Sequence, residues 1–437
     1  MIARRKEAFI ALCRLLRDIE HNPEDIASVR ALNRRLIKEI MRDEGHVLRH
    51  RARLKELNRE LKVGRPSKIA ANQIRREINR QELAVNRYTD QIFIWKSIGD
   101  ALAYAYIDTF SIKHVFFDTE TTGVRPDAGF MTGKSGLARE IEILEAVLDH
   151  GAPAVLCDVT NILRHGDICL LIGSDPFLIE VKSSPGLNQR GQRQRDRLKQ
   201  LSDFLLNDGA TNFRGLPSVS RRTMSSEPRD CLADINLCIE SAWRSGYNMV
   251  CPERGLVYLA VYGELPDEDL FEHLGMRVPI AFLLNSDKND CNWAPYLPFI
   301  NSVRDVERLF DFVAGHLSII VLVDGAQICD DLTQPGYRVS LIEDDVGAVL
   351  LEHLDSGARV IISRQFLGRL GFEFLSPRWF VEHERDMVSA FFQDLARSEG
   401  SEADAIYAHA AQAQFSSASR RYSVERAADG RLIPVAK

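Results

Sequence analysis

The chain has 437 residues, of which 45% are hydrophobic and 27% are charged. This length and apolar content suffice for two or three packed domains and exclude a globally disordered protein. No apolar run, the stretch Leu317 to Val323 included, approaches the roughly eighteen residues of a membrane span. No apolar secretory core follows Met1, so we expect a cytoplasmic protein without membrane contact. The eight cysteines form no Cys-x-x-Cys pair, which argues against a zinc site or a disulfide framework.

Residues 1–110 are predicted to form a basic helical hairpin arm. Residues 1–90 carry 22 Lys and Arg against 13 Asp and Glu, a net charge of +9 in a chain whose total is −6. Apolar residues recur at near-heptad spacing on both sides of the break Gly64-Arg-Pro-Ser67. Two interpretations stay open. The arm binds nucleic-acid phosphates or a second copy of the chain, or its charges are the solvated face of a coiled coil.

The next stretch, Lys113 to Gly123, is predicted to be a strand. It ends in Asp118-Thr-Glu-Thr-Thr-Gly123, which resembles the first motif of the DEDD-type proofreading exonucleases. That family needs further acids on later helices, and no histidine in the sequence is followed by an aspartate at the family's spacing. Asp118 and Glu120 are therefore interpreted as a strand end with a polar turn.

Residues 167–182 are predicted to form a β-hairpin, because two apolar runs flank the turn signal Gly173-Ser-Asp-Pro176. Closing this turn sets Asp167 opposite Lys182 and Cys169 opposite Glu180. The alternation of strand side chains then forms one apolar face that should lie in the core. Its members are Ile168, Leu170, Ile172, Phe177, Ile179 and Val181.

The other face of this hairpin collects Asp167, Glu180 and Lys182. Two neighbouring carboxylates repel each other unless a hard cation lies between them, and oxygen ligands suit Mg²⁺ or Mn²⁺. A lysine beside such an ion can orient or deprotonate a water molecule. The face therefore has the composition of a metal-dependent hydrolytic site.

Gly166-Asp167 followed by Glu180-x-Lys182 resembles the PD-(D/E)xK nuclease superfamily, with a match over residues 135–206. The resemblance implies an α/β fold with an αβββα core within residues 111–230. It also implies Asp167 and Glu180 as ligands of Mg²⁺ or Mn²⁺, and Lys182 as the catalytic lysine. The substrate class that it implies is a phosphodiester, of DNA more than of RNA.

Two flanking helices are predicted to support this core. In several branches of the superfamily a glutamate of the first helix, here about Ser135 to His150, reaches the metal; Glu140 is the expected residue, with Glu142 or a merely solvated carboxylate as alternatives. The helix after the hairpin offers Gln194 as a supporting residue, with Gln200 as the alternative. Its first turns are rich in cations that a phosphate would meet together with the positive helix end. The predicted nucleic-acid-binding residues are Arg190, Arg193, Arg195 and Arg197.

The remaining sequence is less specific. Residues 208–229 are consistent with a last core strand or with a loop, and both readings stay open. Residues 231–400 are predicted to be an acidic α/β region, and residues 401–437 a flexible tail rich in Ala and Ser.

These observations lead us to expect a Mg²⁺-dependent nuclease that acts in defence against foreign DNA or in repair. The alternative is a non-catalytic adaptor, for nucleic-acid binding or assembly, with a nuclease-like core. The intact set Asp167, Glu180 and Lys182 favours the nuclease, since an adaptor has no need of two carboxylates and a lysine on one face.

Overall fold

The computed structural model describes residues 5–64, 66–181, 189–222, 224, 226–263, 274–287, 293, 295–342, 347–397, 407–408, 422–426 and 432–436. In this part of the chain the fold is mixed α/β, with a helical N-terminus and several small, mostly antiparallel sheets.

The described helices are α1 (Lys6–His21), α2 (Ile26–Val63), α3 (Lys68–Tyr104), α4 (Thr109–Ile112), α5 (Leu137–Asp149), α6 (Gln189–Asn207), α7 (Leu232–Ser245), α8 (Leu284–Asp287), α9 (Phe299–Ser302), α10 (Val306–Ala314), α11 (Gly325–Leu332), α12 (Arg364–Phe372) and α13 (Pro377–Arg397). The described strands are β1 (Ala154–Leu156), β2 (Ile168–Leu170), β3 (Phe177–Ile179), β4 (Gly209–Phe213), β5 (Leu216–Ser220), β6 (Tyr247–Glu253), β7 (Leu256–Tyr262), β8 (Pro279–Leu283), β9 (Leu317–Asp324), β10 (Tyr337–Leu341), β11 (Gly347–His353), β12 (Arg359–Ser363), β13 (Tyr407–Ala408), β14 (Tyr422–Arg426) and β15 (Leu432–Ala436).

The chain divides into two compact units. The first contains Met1–Phe116, Arg125–Leu206 and Lys288–Ala314, and the second contains Phe117–Val124, Asn207–Asp287 and Gly315–Lys437. The first unit therefore joins the predicted helical arm to most of the stretch that resembles a nuclease.

The helical hairpin of the first unit is built as its sequence predicts. The Asp25 carboxylate caps the start of α2 by accepting hydrogen bonds from the N–H groups of Ala27 and Ser28. The helix ends at the predicted break, and the Ser67 hydroxyl caps α3 by accepting from the N–H of Ala70. Contacts between α2 and α3 pair residues in opposite order along the two helices, which makes the hairpin antiparallel. They include Asp43 with Trp95, His46 with Tyr88 and His50 with Gln81.

The core of the first unit contains mainly the end of this hairpin opposite its turn. We call this end the root; it comprises residues 29–47 of α2 and 91–104 of α3. Leu32, Leu36, Ile40 and Val47 of α2 are buried, and burial in α3 begins at Gln91. The heptad pattern thus predicts the helices correctly, but tertiary packing uses only part of each apolar stripe.

A three-stranded antiparallel sheet, in the order β1-β2-β3, follows α5. The predicted hairpin exists, but its predicted register is wrong: Ile168 pairs with Ile179, and Cys169 pairs with Leu178 rather than with Glu180. Beyond the end of β2, the N–H of Leu171 donates to the carbonyl of Pro153 at 2.9 Å, and this bond extends the pairing of β2 with β1 by one residue. The loop between β2 and β3 is therefore wider than the turn signal alone predicts.

The predicted core face of this hairpin is also wrong in part. Ile168 is buried, but Ile172 and Phe177 are 60% and 57% exposed. The neighbouring residues Cys169 and Leu171, which strict alternation would place on the other face, are buried. Strands of three residues pack on both sides of their short sheet, and strict alternation therefore fails.

The predicted strand from Lys113 to Gly123 is wrong as well. Its first residues, Lys113–Val115, form a 3₁₀ turn that directly follows α4. The only bridge of strand type in this described stretch joins Phe117 to Val124.

The second unit holds a four-stranded antiparallel sheet in the order β6-β7-β9-β8, with α7 packed on it, and another sheet in the order β10-β11-β12-β13. The described part of residues 231–400 contains both helices and strands, as expected of the predicted α/β region. Residues 208–229, open between a strand and a loop, contain the hairpin of β4 and β5. Its turn places Arg214 and Gly215 at positive φ, of 57° and 73°.

The predicted flexible tail, residues 401–437, lies outside the described residues except for β13, β14 and β15. None of the helices described here is long and apolar enough to cross a membrane.

Candidate active site

Asp167 stands immediately before β2 and is held by the backbone on two sides. Its N–H donates to the carbonyl of Ile179, and its own carbonyl accepts from the N–H of Cys157, each at 2.8 Å. Its carboxylate oxygen Oδ2 accepts from the N–H of Val181 at 2.8 Å. Ile179 and Val181 flank Glu180 in the sequence. The predicted site residues Asp167 and Glu180 therefore lie on neighbouring segments of backbone.

The second carboxylate oxygen of Asp167 faces a lysine that the sequence analysis did not single out. Lys134 Nζ lies 3.4 Å from Asp167 Oδ1, 2.8 Å from Asp158 Oδ2 and 2.9 Å from Glu140 Oε2. The three acids come from different segments: the first turn of α5, a 3₁₀ turn that follows β1, and the start of β2. We call Lys134, Glu140, Asp158 and Asp167 the acid cluster.

The acid cluster is largely withdrawn from water. The side chains of Glu140 and Asp158 are 4% and 7% exposed, and that of Lys134 is 30% exposed. Burying charges costs several kcal/mol per ion unless partners compensate for the lost hydration. Three acids meet only one ammonium here, so the cluster carries an excess of negative charge when all its members are ionised.

Burial and the attraction of opposite charges shift the pKa values of Lys134 and Glu140 in opposite directions. Burial alone would lower the pKa of Lys134, but its hydrogen bond and ion pair with Asp158, helped by Glu140 and Asp167, hold that pKa above its usual value. Burial raises the pKa of Glu140, the Lys134 ammonium lowers it, and the nearby Asp167 charge raises it further. Lys134 is therefore a permanent cation at neutral pH.

The structure separates the two candidate glutamates of α5. Glu140 is buried in the acid cluster, whereas Glu142 is exposed and pairs with Arg139 on the surface of the same helix. The spacing of the helix explains this difference, since residues two apart point to different sides. Glu140, the expected residue, is thus the one that meets Asp167 through Lys134.

Two long helices position the loops that carry the cluster. The buried Glu44 carboxylate of α2 accepts from the N–H groups of Met131 and Thr132, at 3.1 and 2.7 Å, just before Lys134. Asp100 of α3 accepts from the N–H groups of Asn161 and Ile162, at 2.7 and 3.0 Å, just after Asp158. The helical root is therefore part of the scaffold of the site.

The remaining predicted site residues have different outcomes. Glu180 is described and half-buried, whereas Lys182 lies outside the described residues. On α6, Gln194 is half-buried and its alternative Gln200 is exposed. Arg193 and Arg195 are exposed and Arg197 is half-buried, while the side chain of Arg190 lies outside the described part of the chain.

Asp118 and Glu120 form a local turn in the second unit. Asp118 Oδ1 accepts from the N–H of Glu120 at 2.8 Å, as expected of an aspartate at a polar turn. The interpretation of this motif as a turn is supported by that bond.

The donor chemistry of the acid cluster fits a hard divalent ion. Carboxylate oxygens are the ligands that Mg²⁺ and Mn²⁺ prefer, and the acids outnumber the ammonium. In the described residues no group of three Asp, Glu, His or Cys is already arranged around a metal position. The ammonium of Lys134 instead provides the positive charge at the centre of the cluster.

Comparison of the chain with family models, curated proteins and solved structures gave no match. The resemblance to the PD-(D/E)xK superfamily therefore stays a prediction, carried by Asp167, Glu180 and Lys182 and by the elements around them.

Lys134 and Asp158 are the residues that sequence reasoning missed. Asp158 directly follows the apolar run Ala154–Cys157, and an acid at the end of such a run is a signal that the sequence contains. Lys134 lies in a Gly-rich loop with no periodicity, and no local pattern distinguishes it from a surface lysine.

Proposed function

We propose that this protein is a metal-dependent nuclease whose active site is built around Asp167. The observation that supports the proposal most is the meeting of Glu140, Asp158 and Asp167 at Lys134. Buried acids from separate segments repel one another, and such an arrangement is found more often at functional sites than elsewhere. A pocket with excess negative charge is also what a divalent ion requires.

Asp167 and Glu180 would hold the ion, with Glu140 in support. A bound Mg²⁺ or Mn²⁺ ion would activate a water molecule and stabilise negative charge on the attacked phosphate. The N–H of Val181 donates to Oδ2 of Asp167, and the other oxygen, Oδ1, faces the ammonium of Lys134. Lys182 would orient or deprotonate the attacking water.

Lys134 has a different role in this proposal. Because its pKa is raised, it keeps its proton and cannot serve as a general base at neutral pH. It stabilises charge instead, holding the three carboxylates together and offering a cation to a phosphate oxygen. Gln194 would support the site from α6, and Arg190, Arg193, Arg195 and Arg197 would bind phosphates of the substrate. The substrate would be DNA, in defence against foreign DNA or in repair.

The second candidate function is a non-catalytic adaptor for nucleic-acid binding or assembly. Its specific support is Lys134 itself, since an ammonium bonded to three carboxylates can serve as a purely structural ion-pair network. In that case the cluster stabilises the fold and no reaction takes place there.

Incubation of purified protein with linear and circular DNA, in Mg²⁺, Mn²⁺ or EDTA, tests the proposal. We expect cleavage with either ion, no cleavage in EDTA, and a loss of at least about a hundredfold in Asp167→Asn. The matched control is Asp118→Ala combined with Glu120→Ala, which removes two acids elsewhere and should retain most cleavage. Loss of cleavage in the control with activity kept in Asp167→Asn would move the active site. Absence of cleavage in the parent protein under every condition would favour the adaptor.

A further inference from the structure

The outer part of the helical hairpin, on both sides of its turn, contributes almost no side chains to the core. In α2 the described residues beyond Val47 include a single buried one, Leu57, and in α3 burial begins only at Gln91. Residues 49–87 nevertheless carry twelve Lys and Arg against four Glu. A long, water-exposed and strongly basic rod therefore projects from the packed root.

Four of the six cations of α2 in this rod lie on one side of the helix. Spacings of four, four and three residues place these four within an arc of about 80° on a helix of 3.6 residues per turn. All four are exposed. We call them the basic row: Arg51, Lys55, Arg59 and Lys62.

The acids of the same helix segment lie on its other side. Glu56 and Glu60 both pair with Arg53, at 2.9 and 3.7 Å, away from the basic row. Among the described residues no carboxylate forms an ion pair with Lys55, Arg59 or Lys62. The two acids in this outer part of α2 thus pair with Arg53 and not with the basic row.

The basic row begins next to the loop that enters the candidate site. The Arg51 guanidinium lies over the ring of Phe130, with Cζ 5.2 Å from the ring centroid. The next two residues, Met131 and Thr132, are bonded to Glu44, and Lys134 follows. A ligand that follows the row toward the root therefore reaches the loop that carries the ammonium of the acid cluster.

We propose that the basic row binds the phosphate backbone of double-stranded DNA and guides it toward the acid cluster. The row is about 16 Å long at 1.5 Å per residue, which corresponds to roughly five phosphates of one duplex strand at 3.4 Å each. A straight row of cations suits a regular anionic backbone, whereas a coiled-coil partner would need an apolar seam. This inference rests on the proposed nuclease function for its direction, but binding itself can be measured apart from cleavage.

The test is fluorescence anisotropy with a labelled 20-base-pair duplex in EDTA, over a range of salt concentrations. The test variant replaces Arg51, Lys55, Arg59 and Lys62 with Gln, which retains helix propensity. The control variant replaces Arg49, Arg53, Arg76 and Arg80 with Gln, removing the same number of exposed cations from other sides of the hairpin. Circular dichroism checks that both variants keep the helical content. If the test variant does not fold, the double variant Lys55→Glu with Arg59→Glu takes its place.

We expect the test variant to bind at least tenfold more weakly and to lose about three to four units of the log–log salt slope, at roughly 0.9 per phosphate contact. The control should lose less than about one unit of slope. Equal losses in both variants, or an unchanged slope in the test variant, would overturn the proposal. A change from dimer to monomer in the test variant, measured by light scattering with the salt slope unchanged, would identify the row as a protein interface instead. If the row binds DNA but Asp167→Asn still cleaves it, the nuclease site fails and the binding surface stands.

Discussion

The ammonium of Lys134 lies 2.8 Å from the carboxylate of Asp158, although 24 residues separate them in the chain. Neither residue belongs to a motif, and the contact depends on α2, α3 and α5 holding two loops in place. The consequences of this arrangement can be measured in stability as well as in activity.

The two candidate glutamates of α5, Glu140 and Glu142, should differ in their effect on cleavage. We expect Glu140→Gln to lower the rate of Mg²⁺-dependent DNA cleavage at least about tenfold, because it removes one charge from the acid cluster. Glu142→Gln is the matched control on the exposed side of the same helix, and its rate should stay within about twofold. Equal rates in both variants would show that Glu140 has no role beyond the fold.

Lys134→Met should destabilise the protein by roughly 3 kcal/mol, because it leaves the buried Glu140 and Asp158 without their cation. Urea unfolding followed by circular dichroism measures the loss. Adding Glu140→Gln to Lys134→Met should restore part of the stability, since one of the unbalanced charges is removed. Strictly additive effects in this double-mutant cycle would mean that the two side chains do not interact.

Gly99 should tolerate no side chain. A Cβ atom there would lie 2.1 Å from the carbonyl oxygen of Val159, next to Asp158, and backbone cannot rotate away. We expect Gly99→Ala to cost about 1–3 kcal/mol, as overpacking commonly does. Gly45→Ala in α2 is the control, because a Cβ meets no atom within 4 Å there and should raise stability by up to about 1 kcal/mol. A neutral Gly99→Ala would contradict the close approach of α3 to this turn.

Asp100 should make the free energy of unfolding fall as the pH rises from about 4 to about 6. Burial raises its pKa from 3.8 to about 6, against hydrogen bonds from Asn161 and Ile162 that lower it. A carboxyl group with a raised pKa in the folded state contributes its full stability below its unfolded pKa. That contribution disappears as the pH rises through the folded pKa.

The shift of about two units corresponds to roughly 3 kcal/mol at most. The measurement is the difference in unfolding free energy between the parent protein and Asp100→Asn from pH 3.5 to 7.5. The variant should lack this part of the slope, because an amide does not titrate. Parallel curves for the two proteins would contradict the raised pKa of Asp100.

The hairpin of β2 and β3 shows how far local pattern reasoning reaches. Its two apolar runs correctly predict two strands, and the acid before the first strand is Asp167 of the acid cluster. The register differs from the prediction by two residues, since Ile168 pairs with Ile179 and the loop between the strands takes residues 171–176. A turn signal limits where a chain can reverse, but it does not set how many residues the loop uses, and the register follows from that number.

The hairpin of α2 and α3 and its break could be predicted from the amino-acid sequence alone, because capping and apolar periodicity act over a few residues. The sequence also indicated Glu140 and Asp167 through their places on a helix and at a strand end. The burial of Glu140 rather than Glu142, and the presence of Lys134 and Asp158 in the site, follow only from the folded chain. These outcomes depend on contacts between distant segments, such as Glu44 with Met131 and Asp100 with Asn161. A single sequence carries no local signal for such contacts, because they form only when the helical root and the small sheet pack together.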